Sequence, residues 1–249
     1  LSTARSADLS LSDIEIIDAP HSHAAADKAV ELVRQGKLQT LMKGALHTDE
    51  LMSAILQKES GLQTERRMSH VFVIDAPSYH KLLLVTDAAI NINPNLDVKR
   101  DIVRNVIDLA HAIGIDCPKI ALLSAIETIE EKIPSTIQAA ALCKMAERNQ
   151  ITGAILDGPL AFDNAISLDA ATTKNIHSIV AGEADVLVAP DLEAGNILAK
   201  ELVFLSGANT AGLLLGARAP IILTSRSDDC VSRVASSALA QLFIHRNQH

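Results

Sequence analysis

Aromatic residues and cysteines are scarce in this sequence. Aromatic side chains make up 2% of its 249 residues and tryptophan is absent, so alanine, valine, isoleucine and leucine have to build the interior. Such a core is typical of α/β proteins with buried strands. Cys117, Cys143 and Cys230 are far apart and odd in number, which argues against a disulfide framework. We expect packing thiols in a reducing compartment, the cytoplasm.

The sequence also lacks the marks of a membrane or nucleic-acid-binding protein. No apolar run approaches the ~18–20 residues that a membrane helix needs. The formal net charge is −8 and no stretch is rich in lysine and arginine, so we expect neither a membrane nor a nucleic-acid partner. The negative net charge remains compatible with an anionic small-molecule ligand if local cations or backbone N–H groups bind it.

Several common motifs are missing. There is no glycine-rich nucleotide-binding fingerprint after a strand, no phosphate-binding P-loop, no nucleophile elbow and no C-x-x-C pair. The pair of histidines in His21-Ser22-His23 has no third ligand nearby in the sequence. We therefore predict no metal site and no bound cofactor.

Short apolar runs with strand character alternate with stretches of helical period. Residues 71–74 and 82–85 flank turn residues, which predicts a hairpin. Residues 96–113 repeat apolar side chains at spacings of three and four, which predicts an amphipathic helix. Residues 153–156 read as a strand that ends at Asp157. The alternation predicts an α/β fold with a mainly parallel sheet.

Polar residues follow the predicted strands. In an open α/β sheet, ligands bind beyond the carboxyl ends of the strands. Each polar residue there can instead simply cap the next helix, but six polar strand ends in one chain favour a shared cleft. The candidate binding residues at five of these ends are Lys43, Thr86, Asp87, Ser124, Asp157, Asn164 and Thr224, and the sixth end, after Val188, is followed by Asp191 and Asn196.

Arg226 lies between an apolar strand and a predicted helix start. With Ser225 it makes a suitable anion site, because a guanidinium group binds phosphate oxygens bidentately and the N–H groups of a helix start point outward. The alternative is a surface arginine paired with Asp228 or Asp229. The residue chemistry by itself does not decide between the two.

Six longer segments together resemble the phosphate acetyl/butyryltransferase family. They occur in the family's order from about Ile14 to the end of the chain, and the likeness is closer to the butyryl branch than to the acetyl branch. The segments are LMKG (41–44), LVTDAAINI (84–92), DGPLAFDNAIS (157–167), VAGEAD (180–185), EAGN (193–196) and APIILTSR (219–226).

The resemblance implies a two-domain α/β/α fold like that of isocitrate and isopropylmalate dehydrogenases. Residues 1–71 and 213–249 would form the first domain, and residues 72–212 an inserted second domain, with the site between them. It also implies a homodimer that uses coenzyme A as a substrate. Because family members carry a further β–α–β stretch ahead of Ile14, and some an upstream enoyl-CoA hydratase-like domain, we expect a truncated or fused chain.

The resemblance also assigns roles to site residues. Ser225 and Arg226 match residues that contact substrate, and Asp228 is the nearest match to an aspartate proposed as the base, with Asp229 as the alternative. Lys43 and Arg67 are further candidates for holding phosphate. Ala88 stands where the acetyl branch has a cysteine, which argues against a cysteine-dependent step there.

The implied reaction is attack of the coenzyme A thiol on the carbonyl of an acyl phosphate, or its reverse, in a ternary complex. A carboxylate is ordinarily a weak base towards a thiol, so a changed environment of the aspartate or nearby cations that favour the thiolate must help. Two alternatives stay open: an NAD- and metal-dependent dehydrogenase, whose aspartate cluster we do not find, and a non-catalytic lobe of a fused acyl-CoA-metabolising protein. Acyl-chain length is not fixed, and Leu160, Phe162 and Ile166 are candidates for the acyl pocket.

Overall fold

The structure, a computed structural model, describes residue 6 and residues 10–223 and 228–247. No helix within these residues is long and apolar enough to cross a membrane. The helices are α1 (Ser22–Arg34), α2 (Thr48–Ile55), α3 (Leu96–Ala112), α4 (Pro134–Glu147), α5 (Phe162–Ile166), α6 (Leu168–Thr173), α7 (Leu192–Phe204) and α8 (Cys230–Asn247). The strands are β1 (Leu41–Met42), β2 (Ser69–Asp75), β3 (Leu83–Thr86), β4 (Lys119–Leu123), β5 (Ile155–Leu160), β6 (Val186–Val188), β7 (Asn209–Leu215) and β8 (Ile221–Ile222).

The described strands form one sheet in the order β1-β8-β7-β2-β3-β6-β4-β5. The run β3-β6-β4-β5 is parallel throughout, and β1 is parallel to β8. The pairs β8-β7, β7-β2 and β2-β3 are antiparallel. The expected α/β fold with a mainly parallel sheet is confirmed.

The predicted hairpin and the predicted amphipathic helix are both present. β2 pairs antiparallel with β3, and Phe72 lies opposite Val85. The helix is α3, whose N-cap is Asn95 and whose C-cap is Ile113. Both elements follow from a local pattern of apolar side chains, which is why the sequence predicted them.

The strand predicted over residues 153–156 is shifted in the structure. β5 continues to Leu160, so Asp157 lies inside the strand and pairs with Ala121. The pairing with β4 changes register between Ala121 and Leu123, next to the cis bond from Gly158 to Pro159. β5 is an edge strand, where a proline that lacks an N–H group is tolerated. The prediction ended the strand too early because it treated Gly158-Pro159 as a turn.

Helices cover both faces of the sheet. On one face, α3, α4 and α8 pack on a cluster that includes Val71 and Leu84. On the other face, α5, α6 and α7 pack on a cluster that includes Ile74 and Val85. A third cluster joins α1 and α2 to Leu214. Successive strand residues point to opposite faces of the sheet, and the pairing of β2 with β7 puts Ile74 and Leu214 on the same face. The second and third clusters are therefore separate clusters on one face.

The strands β2 and β7 run between these two clusters. Gly212 lies opposite Phe72, and a Cβ at position 212 would lie 2.7 Å from Cε1 of His70 and 3.4 Å from Cδ1 of Phe72. A side chain at position 212 is therefore excluded by the close approach of the histidine ring. The glycine leaves room for both rings on this face.

The division into residues 1–71 with 213–249 and an inserted 72–212 remains a prediction. Its boundaries fall on β2 and β7, which pair from Ser69 opposite Leu215 to Asp75 opposite Asn209. Both proposed parts therefore contribute strands to the same sheet.

Candidate active site

The segment Thr224-Ser225-Arg226, which the sequence places at the centre of the site, lies outside the described residues. The structure describes the residues on both sides of it, up to Leu223 and from Asp228 onward. Leu223 follows β8 and Asp228 lies two residues before α8, and they line the same cavity of about 220 Å³. The candidate site is therefore built from the residues around this cavity.

Three parts of the fold enclose the cavity. Helix α7 contributes Asn196 and Lys200, which lie one turn apart on the same side of the helix. The sheet contributes Phe72 and Thr210. The segment that leads into α8 contributes Asp228. The other lining residues are Ala199, Val203, Phe204, Ala208, Asn209, Leu223, Asp229 and Ser232.

Close contacts fix α7 against the loop that follows β3. A Cβ at Gly195 would lie 2.4 Å from the carbonyl oxygen of Asp87, so only glycine allows this approach. Next to it, Nδ2 of Asn196 donates a hydrogen bond to the carbonyl oxygen of Ala88 at 2.9 Å. These contacts set the direction in which Lys200 projects into the cavity.

The two aspartates before α8 differ in their bonding. Oδ1 of Asp229 accepts a hydrogen bond from the backbone N–H of Ser232 at 2.8 Å, so Asp229 caps the helix. Hydrogen bonds from the Ser232 backbone N–H and hydroxyl hold the pKa of Asp229 below its ordinary value. The backbone carbonyl of Asp228 accepts from Nε of Arg233 at 3.2 Å. Capping and a lowered pKa make Asp229 the weaker candidate for a base.

Lys43 lies beside the carboxyl end of β8. Its backbone N–H donates to the carbonyl oxygen of Ile222 at 2.9 Å, which makes it a neighbour of Leu223 across the two short strands. Its side chain is buried, and Nζ donates to the carbonyl oxygens of Gly44 and Leu46 at 3.3 Å. Lys43 therefore lies beside Leu223, the residue that precedes the predicted arginine segment, and its role in phosphate binding remains a prediction.

Thr86 and Asp87 make their described contacts within the fold. Oγ1 of Thr86 donates to the carbonyl oxygen of His70 at 2.9 Å. The carboxylate of Asp87 accepts the side-chain amide of Asn91 at 2.6 Å and four backbone N–H groups between 2.9 and 3.3 Å, those of His70, Ala89, Ile90 and Asn91. Both side chains are buried. They order the loop over residues 87–91.

Arg67 is tied to that loop. Its Nε donates to Oδ1 of Asn91 at 3.0 Å, and its backbone N–H donates to Oδ2 of Asp101 at 3.0 Å. Since Asp87 holds Asn91, it positions the guanidinium group of Arg67 indirectly. The sequence named Arg67 and Asp87 as separate binding residues, and the structure brings them into one hydrogen-bonded group.

The remaining predicted residues lie near β4 and β5. The hydroxyl groups of Ser124 and Ser135 are 2.8 Å apart, and Ser124 lines a second cavity of about 560 Å³ between α5 and α7. Asp157 is part of β5, and its Oδ1 accepts the backbone N–H of Gly158 at 2.8 Å. Asn164 is fully buried, its Nδ2 donates to Oε2 of Glu127 at 3.3 Å, and its Oδ1 has no hydrogen-bond partner among the described residues. None of these side chains lines the cavity that contains Asp228.

The cleft expected from six polar strand ends is not formed by the strand ends alone. β8 is antiparallel to β7, and β2 is antiparallel to both β7 and β3. β1 and β8 therefore run opposite to β3, β4, β5 and β6, and their carboxyl ends lie at opposite edges of the sheet. The expectation assumed a common strand direction. Helix α7 connects the two regions, because it starts after β6 and its side chains reach the cavity beside Leu223.

Neither a further cavity nor the histidine pair contributes to this site. A cavity of about 700 Å³ is lined by Arg66, Asp108 and Arg218 and contains none of the predicted site residues. Nδ1 of His21 accepts the backbone N–H of Ala24 at 3.1 Å and so caps α1. Within the described part of the chain, no three His, Cys, Asp or Glu side chains are grouped to hold a metal ion.

Sequence reasoning noted Asn196 as a polar residue after the strand that ends at Val188, but it missed Phe72, Lys200 and Thr210 as site residues. A signal existed for Lys200, which follows Asn196 and the segment EAGN by one helical turn. No comparable signal exists for Phe72 and Thr210. They are ordinary strand residues until the neighbouring strands and helix are known.

Comparison with known proteins decides the family. The family model described as Phosphate acetyl/butaryl transferase matches residues 12–241. The chain belongs to this family. It is 61% identical over 240 residues to a phosphate acetyltransferase of Rhizobium meliloti, covering 96% of this chain and 76% of the relative. It is 44% identical over 234 residues to a phosphate butyryltransferase of Clostridium acetobutylicum, covering 94% of this chain and 78% of the relative.

A solved structure agrees with these matches. The crystal structure of a branched-chain phosphotransacylase from Enterococcus faecalis V583 has a TM-score of 0.84 and 35% identity, covering 92% of this chain and 82% of that chain. The relatives are named after acetyl, butyryl and branched-chain groups, so their names do not select one acyl chain. The matches favour a transferase over a non-catalytic lobe.

Proposed function

We propose that this protein exchanges an acyl group between coenzyme A and inorganic phosphate, so that acyl-CoA and phosphate give acyl phosphate and free coenzyme A. The observation that carries the proposal is the cavity of about 220 Å³ that is lined by both Leu223 and Asp228 and gathers Asn196 and Lys200 beside them. Membership of the phosphate acetyl/butyryl transferase family supports it.

The phosphate group needs local cations, because the chain as a whole carries a net charge of −8. In our proposal Thr224, Ser225 and Arg226 bind it. Lys43 is hydrogen-bonded to Ile222 at the end of β8, and Lys200 of α7 lines the same cavity as Leu223 and Asp228. Hydrogen bonds and positive charge aimed at the phosphate stabilise the negative charge that develops as the carbon–oxygen bond breaks.

In the direction from acyl phosphate to acyl-CoA, the thiol of coenzyme A has to lose its proton as it attacks the carbonyl carbon. We assign proton removal to Asp228, which lines the cavity, and helix capping to Asp229. The same cations that bind phosphate favour the thiolate. In the ternary complex the sulfur–carbon bond forms, the carbon–oxygen bond to phosphate breaks, and the thiol proton passes to Asp228. No covalent acyl-enzyme is needed.

In this proposal the other predicted binding residues do not contact the reacting groups in the cavity. Thr86 and Asp87 order the loop over residues 87–91, which holds Arg67 through Asn91 and α7 through Ala88. Ser124, Asp157 and Asn164 remain candidates for contacts with the long coenzyme A molecule outside the cavity.

A thiol-release assay tests the proposal. Acetyl-CoA or butyryl-CoA is mixed with enzyme and phosphate, and free coenzyme A is measured with a thiol reagent. Cys117 and Cys230 are exposed, against the expectation of packing thiols, so they react with the reagent. Burial raises the pKa of Cys143 to about 12, so this thiol reacts slowly. A reaction without phosphate is the control, and equal release with and without phosphate would refute the proposal.

We further propose that the enzyme is a cytoplasmic homodimer. Phe204 and Leu205, at the end of α7, are 73% and 80% exposed, and exposed apolar patches are typical of interfaces. Light scattering coupled to size exclusion gives the mass in solution. A monomer at the concentration of the assay would contradict the dimer.

A further inference from the structure

We propose that Phe72, Ala199 and Ala208 form the pocket for the acyl chain and set its upper length. This inference rests on the proposed function and goes beyond it, because it names the residues that limit the length of the acyl group.

The chemistry of the substrates shows what such a pocket must hold. Acyl-CoA and acyl phosphate share only the acyl group, so its carbon chain has to stay in place while phosphate and coenzyme A exchange. The chain is also the part of the acyl phosphate that has no polar atoms. It therefore requires an apolar surface close to the groups that carry out the transfer.

The cavity beside Asp228 has such a surface. Ala199 and Ala208 are buried, at 4% and 7% exposure, and they line the cavity together with Phe72 and Val203. The polar lining residues Thr210 and Asp228 belong to the same cavity, so carbonyl chemistry and an apolar chain fit within one space. Side chains longer than alanine at positions 199 and 208 would fill part of that space.

Phe72 cannot easily turn away. Its ring centroid is 4.4 Å from that of His70, with 59° between the ring planes, and His70 is 1% exposed. Gly212 leaves space for both rings on this face, as its missing Cβ would collide with His70. The phenyl ring is thus held from behind and forms a fixed wall of the cavity.

The second cavity, of about 560 Å³, is the alternative location. It is lined by Phe162, one of the residues that the sequence suggested for the acyl pocket, and by Ala194 and Ile197 of α7. Ala194 and Asn196 lie on opposite sides of α7, because two positions along a helix are about 200° apart. The two cavities are therefore lined by different sides of α7. Leu160, also suggested by the sequence, is buried in the core.

The experiment compares kcat/KM for acetyl-CoA, butyryl-CoA and hexanoyl-CoA in the wild type and three variants. We expect Ala199→Val to lower the butyryl-to-acetyl ratio about ten-fold, because one added branch removes room for one or two methylene groups. We expect Phe72→Leu to raise the hexanoyl-to-butyryl ratio by a similar factor. Ala194→Val is the matched control on the same helix and should leave both ratios unchanged.

The outcomes separate the two proposals. If the wild type releases no coenzyme A from any of the three substrates in a phosphate-dependent reaction, the proposed function itself fails. If it is active and neither Ala199→Val nor Phe72→Leu shifts the ratios, the acyl pocket is wrong. A shift in Ala194→Val instead would move the chain to the second cavity. Circular dichroism identifies a variant that does not fold, and the shift in the remaining variant then decides.

Discussion

The ammonium group of Lys99 donates a hydrogen bond to Oε1 of Gln138 at 2.6 Å, which joins α3 to α4. Lys99 is 4% exposed. Burial lowers its pKa to about 8, while the negative charge of Asp191 acts in the opposite direction. A buried lysine of this kind is more stable in its neutral form than an exposed lysine would be.

We expect the free energy of unfolding to rise with pH above about pH 8 because of Lys99. The folded protein loses this proton near pH 8, whereas the unfolded chain keeps it up to the ordinary value of 10.5. The unfolded state therefore binds more protons in this window, so its population falls as pH rises. Urea unfolding at about pH 7 and about pH 9, for the wild type and Lys99→Met, measures the effect. An identical change with pH in both proteins would contradict it.

Asparagine substitutions at Asp228 and Asp229, made one at a time, distinguish the proposed catalytic base from the helix cap. Asparagine caps a helix about as well as aspartate, so both variants should fold. We expect Asp228→Asn to lower kcat about a hundred-fold with little change in the KM for acyl-CoA, because proton removal is lost. Asp229→Asn should keep kcat within about three-fold, since its carboxylate is engaged with Ser232. The opposite pattern would transfer the role of base to Asp229.

Arg226→Ala should reduce acyl transfer by about a hundred-fold to a thousand-fold and leave the circular dichroism spectrum unchanged. The arginine is proposed to neutralise the phosphate, and a neutral side chain leaves that charge uncompensated. Arg226→Lys should recover part of the rate, because it keeps the charge but not the bidentate geometry. Full activity of Arg226→Ala would remove the phosphate site that the sequence predicts.

Asp87→Ala should lower the free energy of unfolding by about 3 kcal/mol or more, because it leaves buried N–H donors without an acceptor. Five N–H groups point at this carboxylate, four from the backbone and one from Asn91. Asp157→Ala is the matched control. Its carboxylate is partly exposed and accepts the N–H of the adjacent Gly158, so about 1 kcal/mol or less is expected. Chemical denaturation measures both, and equal losses would contradict the anchoring role of Asp87.

Local patterns explain how much of the fold the sequence could predict. The hairpin of β2 and β3 and the helix α3 follow from short-range periodicity and turn residues. The extent of β5 does not, because its register shift next to Ala121 depends on pairing with β4. Glycine followed by proline usually marks a turn, and only the edge position allows them to continue a strand.

The candidate site was also only partly predictable from the sequence. Leu223 and Asp228, which flank the predicted arginine segment, do line a cavity. The sequence could not show that Phe72 and Lys200 line it too, or that Asp87 serves Arg67 through Asn91. These contacts join residues that are far apart in the chain or on different elements, and no short pattern encodes them.

By itself, the sequence determined the α/β class and the family, because each of these rests on local periodicity or on matched runs of residues, and it predicts the site segment around Arg226. The tertiary structure alone decided the strand directions, and with them which polar strand ends meet. It also decided which side of α7 faces Asp228 and that Gly212 leaves room for His70 and Phe72. The physical reason is that strand pairing and helix packing are set by long-range burial, so the partners of a side chain are fixed only when the whole sheet has formed.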